Sequence, residues 1–169
     1  MRRTFAVNTA LGALLLAAAP AVARADGSDK ILEFETMAGV SRPYVGATNP
    51  VRGLGGGGLP WVIGRGKGEV RSDGRIEVKV RGLVLADDPA VAPAARLTNP
   101  SPTFRAVVSC QSVDAAGAPA VVNVATGPFD ATPAGDAEIE AALELPSPCL
   151  APVVFVTNAA LRWFAVSGR

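Results

Sequence analysis

The chain of 169 residues contains no histidine. Histidine is the base of Ser-His-Asp and Cys-His catalysis and the commonest protein ligand of transition metals. Its absence excludes those mechanisms, and we expect no metal ion and no other cofactor. Catalysis by a pair of carboxylates, as in glycosidases, does not need histidine. Two pairs have i, i+2 spacing on predicted strands, namely Glu33 with Glu35 and Glu138 with Glu140.

Charged residues are also few, at 18% of the chain with a net charge of +1. Nucleic-acid binding depends on Lys and Arg residues that neutralise phosphates, so this balance predicts no nucleic-acid partner. Glutamates on exposed strand faces are usually solvated, and we therefore expect no enzyme. The length suits one domain with a core of its own.

The first 25 residues carry much of the apolar excess. Arg2 and Arg3 form a positive segment, residues 10–19 are apolar, and small residues surround a cleavage site at Ala25. This pattern is typical of a secretory signal peptide, and it is too short and wrongly flanked for a transmembrane helix. We interpret residues 1–25 as a signal peptide, exported by the general or the twin-arginine route. We expect no membrane span.

The remaining residues, 26–169, are predicted to form a single domain with two cysteines, Cys110 and Cys149. In an exported protein an even pair predicts a disulfide. A redox or nucleophilic thiol is disfavoured, because there is no CxxC spacing and no histidine to activate the sulfur. We expect the mature domain outside the cytoplasm, either secreted or periplasmic.

The most regular stretch, Gly68–Leu85, predicts a β-hairpin. Its second half alternates charged and apolar residues, as a strand with one solvent-exposed and one buried face does. A three-residue loop, Ser72–Gly74, puts Val70 opposite Ile76 and ends on glycine at the left-handed position that this loop class favours. We expect the second strand to continue to Leu85, with its last residues buried on both faces. The charged face is predicted to be solvated, with opposite charges paired diagonally across the strands.

Six further stretches have the composition and alternation of strands. They are Lys30–Met37, Leu59–Ile63, Thr103–Val113, Val121–Thr126, Val153–Thr157 and Leu161–Val166. Ala137–Leu145 is ambiguous, because its alternation predicts a strand whereas Asp136 as a cap and the many helix formers suit a short helix. We favour a strand there.

About eight short strands with closely spaced turns predict an all-β fold with one disulfide. The favoured architecture is an antiparallel β-sandwich of the immunoglobulin-like or Greek-key kind, and a closed β-barrel is the alternative. The Cys-Trp-Cys order of a true immunoglobulin domain is absent, because Trp61 precedes both cysteines and Trp163 follows both.

A long loop, Gly39–Leu59, follows the first predicted strand and is rich in Gly and Pro. Long loops in compact domains are often functional. This loop contains G-x-G-x-x-G spacing, but Pro60 and Trp61 follow it instead of a helix, so phosphate binding is disfavoured. We expect the glycine tract to be flexible. The candidate binding residues are Arg42, Tyr44, Asn49, Arg52 and Trp61; the alternative is a loop that merely covers one end of the sandwich.

Several segments resemble stretches of a set of small exported bacterial proteins that have no assigned function. They are Leu32–Met37, Arg42–Tyr44, Gly46–Pro50, Leu59–Ile63 and Pro146–Cys149. The resemblance covers most of the mature chain and implies no activity. It directs attention to the loop between Arg42 and Trp61.

These observations lead to three functional hypotheses. The favoured one is a secreted, non-catalytic binding or cell-envelope-associated module, whose partner would be an envelope component, an extracellular protein or a glycan. The second is a carboxylate-dependent hydrolase acting on extracellular polysaccharide. The third is a structural subunit that assembles by pairing of edge strands.

Overall fold

A computed structural model describes residues 28–168, so the predicted signal peptide lies outside the described residues. Twelve strands and one 3-10 turn, Pro93–Ala95, make up the regular structure of the described part. The strands are β1 Lys30–Phe34, β2 Met37–Gly39, β3 Trp61–Val62, β4 Arg65–Arg71, β5 Arg75–Arg81, β6 Val84–Leu85, β7 Thr103–Val113, β8 Pro119–Ala125, β9 Phe129–Asp130, β10 Ala137–Ala142, β11 Leu150–Thr157 and β12 Trp163–Ser167. Within residues 28–168 no helix is long and apolar enough to cross a membrane.

The strands form open antiparallel sheets in a sandwich-like arrangement. The first sheet has the order β1-β4-β5-β10, and the second has the order β2-β12-β11-β7-β8, with β9 paired to the start of β7. A small third sheet pairs β3 with β6. The predicted all-β antiparallel sandwich is confirmed, and the closed β-barrel is wrong. The strand count exceeds the predicted eight, since two predicted strands are each divided in two and the two-residue strand β9 was not predicted.

The hairpin of β4 and β5 forms with the predicted register. Val70 lies opposite Ile76, and Gly74 adopts a φ of 85° in the turn. The second strand is shorter than predicted, because Gly82 turns the chain with a φ of 66° and leaves β6 to pair with β3. Val84 and Leu85 are buried in that small sheet and not in the hairpin.

The first predicted strand is divided between the two sheets. Glu35 and Thr36 interrupt it, so that β1 pairs with β4 in the first sheet and β2 pairs with β12 in the second. Apolar residues alternate with Glu33 and Glu35 up to the break, which is why the sequence predicted a single strand. This crossing ties the two sheets together at one side of the sandwich.

The core lies between the inner faces of the two sheets. Apolar residues at alternate positions of each strand are buried there, as the period of two requires. The first sheet contributes Val70, Ile76, Val78, Val80 and Ile139, and the second contributes Phe104, Ala106, Val108, Val154 and Val156. The ambiguous stretch Ala137–Leu145 forms a strand, as favoured, over Ala137–Ala142, where Ile139 of β10 lies opposite Val78 of β5.

The predicted disulfide is present. Cys110 in β7 bonds to Cys149, which directly precedes β11, and the sulfur atoms are 2.01 Å apart. Cys110 is completely buried. The bridge closes a loop with a sequence separation of 39 and holds the long segment from β8 to β10 at both of its ends.

The double substitution Cys110→Ala and Cys149→Ala should lower the free energy of unfolding by about 4 kcal/mol, because it frees the unfolded chain from a loop of this length. Urea denaturation of the two proteins measures the difference. Intact mass after alkylation, with and without prior reduction, is the control that the bridge forms. A variant as stable as the wild type would contradict the stabilising role.

Candidate functional site

The loop between β2 and β3 packs onto the outer face of the second sheet. The backbone N–H of Gly57 donates to the Trp163 carbonyl at 2.8 Å, and the N–H of Trp163 donates to the Gly55 carbonyl at 3.1 Å. Leu54 is buried by the same packing. The loop is thus a third layer that covers the face of the second sheet turned away from the first.

Two glycines of this loop permit close packing. A Cβ added to Gly56 would collide with the Tyr44 carbonyl and approach Val40, and a Cβ on Gly57 would lie 3.0 Å from the ring of Phe164. Both glycines are buried. Any side chain here would push the loop away from the sheet.

Three of the predicted binding residues make contacts within the chain. Trp61 is buried, and its ring stacks on Phe164 with 3.9 Å between ring centroids. Arg42 donates two hydrogen bonds to the Asp88 carboxylate at 2.9 and 3.0 Å. The Asn49 Nδ2 donates to a carbonyl of the same loop at 2.8 Å. These contacts fix the loop, and the buried Trp61 ring anchors the end of the loop to the core.

Arg52 joins the loop to the second sheet. Its guanidinium donates to the Ala151 carbonyl at 2.8 Å and to the Ser109 carbonyl at 3.4 Å. Its own carbonyl accepts a hydrogen bond from the Asn123 side chain at 3.0 Å. Arg52 makes no salt bridge with any residue of the described part. Its positive charge is therefore balanced by backbone oxygens and solvent.

Tyr44 is exposed, as Arg42 and Asn49 are, and it is the aromatic one of these three predicted binding residues. Its side chain is 44% exposed, and its ring centroid lies 6.4 Å from that of Trp163. Trp163 is buried, and its Nε1 has no hydrogen-bond partner. Tyr44 is held from both sides, since its N–H donates to the Ser41 carbonyl and Gly46 donates to Gly57. The loop presents one aromatic ring on a fixed backbone.

A second polar surface lies on the outer face of the first sheet. Four glutamates occupy directly opposite positions on its four strands. In strand order they are Glu33, Glu69, Glu77 and Glu140. Since neighbouring strands are about 4.8 Å apart, the row is about 15 Å long. Like charges in such positions repel, and each pair costs a few tenths of a kcal/mol or more.

Cations beside the row offset this repulsion, but not by the predicted diagonal pairs. Lys30 lies 2.9 Å from the Glu69 carboxylate, Arg71 lies 2.8 Å from it, and Lys79 lies 2.6 Å from Glu77. Two of these pairs are between residues of the same strand. Hydrogen bonds from Lys30 and Arg71 hold the pKa of Glu69 below its ordinary value. The cations therefore outweigh the neighbouring carboxylates.

A shallow depression of about 110 Å³ lies over part of this face. Its charged lining consists of Glu33, Glu35, Lys67, Glu69, Glu77 and Lys79. The sequence identified Glu33 and Glu35 as a pair, but it missed their juxtaposition with Glu77, which depends on strand order. Among residues 28–168 no group of three or more carboxylates or cysteines has the geometry to hold a metal ion.

Four carboxyls of the described residues have a pKa that departs from the ordinary value. Every carboxyl whose pKa departs from its ordinary value is shifted downward, namely Glu69, Asp73, Asp88 and Glu138. A glycosidase acid needs a raised pKa so that it is protonated when it meets its substrate. In the predicted pair Glu138 and Glu140, the pKa of Glu138 is lowered and not raised, because Arg81 donates a hydrogen bond to it.

Comparison with known proteins identifies no relative, since no family model, curated protein or solved structure matches the chain.

Replacing Gly56 with Ala should destabilise the protein by about 1–3 kcal/mol, because the added methyl group overpacks the contact with the Tyr44 carbonyl. Gly58→Ala is the matched control, since a Cβ there meets nothing within 4 Å. It should be neutral or slightly stabilising. Thermal and urea unfolding measure both effects. Equal effects at the two positions would contradict the packing role of the glycines.

Replacing Glu69 with Gln should destabilise the protein at neutral pH. The lowered pKa means that the folded state favours the ionised carboxylate. This stabilisation is present above the ordinary pKa of 4.5 and is lost as the pH falls through the folded value. Urea unfolding at several pH values should therefore show that the difference in free energy of unfolding between wild type and Glu69→Gln shrinks below about pH 4.5.

Glu144→Gln is the control for that series, because Glu144 makes no ion pair within the described residues and is not part of the row. At neutral pH it should lower the free energy of unfolding by less than Glu69→Gln does. A Glu69→Gln difference that persists at low pH would show that the side chain acts by packing and not by charge.

Proposed function

We propose that this chain is an exported, non-catalytic β-sandwich module that binds a partner outside the cytoplasm through the surface around Tyr44. The partner class is an envelope component, an extracellular protein or a glycan. The observation that carries the proposal is the exposed Tyr44 ring on an immobilised loop. Binding residues concentrate on loops held by a rigid scaffold, and a preordered loop loses little entropy when it binds.

The surroundings of Tyr44 support this role. The glycines behind it are packed too closely for the loop to move as a flexible lid. Arg42 lies two residues away, and its ion pair with Asp88 is exposed on the arginine side, so that the guanidinium can exchange partners at little cost. An aromatic ring beside an arginine is the residue combination that dominates binding energy at protein interfaces.

Export is supported by two features of the chain. The disulfide requires an oxidising environment to persist. The N-terminal pattern predicts a secretory signal peptide. We therefore place the module in a compartment outside the cytoplasm.

The hydrolase hypothesis has less support. The glutamates that line the depression on the first sheet are interleaved with lysines, and the shifted carboxyl pKa values among residues 28–168 are lowered. We expect no cofactor and no acid–base catalysis. The row of glutamates belongs to a solvated face of the sheet.

Co-sedimentation with cell envelopes isolated from the source organism tests the proposal. The mature wild-type chain should sediment with them, and replacing Tyr44 and Arg42 together with Ala should weaken binding at least about tenfold, the effect expected for a residue at the centre of an interface. The melting temperature should hardly change. Val62→Ala, which truncates another exposed apolar side chain, should bind as the wild type does.

Three results would contradict the proposal. They are a wild type that fails to sediment, a double variant that binds equally well, and a double variant that loses stability, which would show that the two side chains serve packing. Release of reducing sugar from the same envelopes would instead favour the hydrolase.

A further inference from the structure

The second sheet ends at β8, Pro119–Ala125, which has no strand on its outer side. Its inner side pairs with β7 over seven residues. At one end of the pair Asp114 donates to the Ala118 carbonyl, and at the other end Thr126 donates to the Ala106 carbonyl. Hydrogen-bonded positions alternate along an antiparallel pair, so the even-numbered residues of β8 bond to β7.

The odd-numbered residues of β8 direct their backbone groups away from the sheet. The N–H groups of Val121, Asn123 and Ala125 donate to no residue of the described part. Such a row of donors and acceptors is a template for another strand. The only proline of β8 is Pro119, at its first position, where it removes a single donor.

The strand lacks the usual protection of an edge. Proteins block unwanted pairing with charged side chains, and both edge strands of the first sheet contain them, with Glu33 in β1 and Glu138 in β10. The other edge of the second sheet, β2, is only three residues long. β8 is seven residues long and has no charged residue. A second β8 can therefore lie opposite it without bringing like charges together.

An exposed apolar patch continues from this edge. It consists of Val121 in β8, Val113 in β7 and Leu150 in β11, which are 49%, 45% and 59% exposed. Gln111 lies between them, opposite both Val121 and Leu150. Half of the six large exposed apolar side chains of residues 28–168 are thus next to the free edge. Exposed apolar patches mark interaction sites.

We propose that β8 is a self-association surface, on which a second copy of this chain adds its own β8 in antiparallel orientation about a two-fold axis near Val122 and Asn123. The pairing joins the two second sheets into one continuous sheet. The outward N–H and C=O groups of each copy satisfy those of the other, and Val121 of each copy moves out of water.

The occupant is a second copy because β8 is its own complement. It is uncharged and rich in valine, and antiparallel pairing about a two-fold axis brings valine next to valine or asparagine. Two paired seven-residue strands and one small patch bury less surface than a standard interface, which buries about 800 Å² on each partner. We therefore expect a weak dimer, with a Kd on the order of micromolar or higher. This surface is separate from Tyr44 and does not depend on the function proposed above.

Sedimentation velocity of the mature, disulfide-bonded chain from about 5 µM to about 500 µM tests the proposal. The wild type should shift from monomer to dimer within this range. Val121→Lys places a charge on the edge, and Val121→Pro removes an outward donor without loss of a bond to β7. Each should raise the dimer Kd at least about tenfold. Val62→Lys, at an exposed strand position in the small third sheet, should dimerise as the wild type does.

Amide hydrogen exchange gives a second measurement that needs no variant. The N–H groups of Val121, Asn123 and Ala125 should exchange rapidly in dilute solution and slow down at concentrations where the dimer forms. The exchange of the even-numbered residues should change little. Protection confined to these outward groups would assign the contact to β8.

A wild-type chain that remains a monomer over the whole range would overturn the proposal. So would a dimer that is unaffected by both substitutions of Val121, or one in which the outward amides of β8 stay unprotected. In either of those cases the contact lies elsewhere on the molecule.

Discussion

The burial of β7 on both faces is the constraint on which the rest of the structure depends. Ala106 and Val108 point into the core between the two sheets, and Val107 and Ser109 on the opposite face are also fully buried. A two-sheet sandwich can cover only the first of these faces. The chain therefore needs a further layer over the second sheet, and the loop between β2 and β3 supplies it. Its glycines, its hydrogen bonds to Trp163 and the bonds from Arg52 to the Ser109 and Ala151 carbonyls all serve this close approach.

This double burial also explains how the polar surfaces are distributed. The face of the second sheet is largely occupied by the loop, so the exposed polar face of the sandwich is the outer side of the first sheet. There the row of four glutamates is tolerated because Lys30, Arg71 and Lys79 lie beside it. Tyr44 on the loop and the edge of β8 are two of the accessible places elsewhere. The two proposals concern these two places, and neither needs the other.

Much of the fold could be predicted from the sequence because its signals are local. The alternation in β4 and β5, together with a three-residue turn ending in Gly74, determined the register of the hairpin, and Thr103–Val113 was found with its exact bounds. The site could not be predicted to the same extent. Arg42, Asn49 and Arg52 were selected as residues of an exposed loop, but their partners are 46, 6 and 57 or more positions away, and no local pattern encodes such distances. Their role in binding stays a prediction.

The sequence by itself determined the strands, the disulfide and the exclusion of histidine chemistry, since alternation, cysteine number and composition are properties of the chain alone. Tertiary structure decided the remainder. It ended β5 at Arg81 by turning Gly82, divided Lys30–Met37 between two sheets, and placed Glu33, Glu69, Glu77 and Glu140 in one row. The physical reason is the same in each case. Which strand lies beside which is settled by how apolar faces are covered over the whole molecule, and the period of two within one strand carries no information about its neighbour.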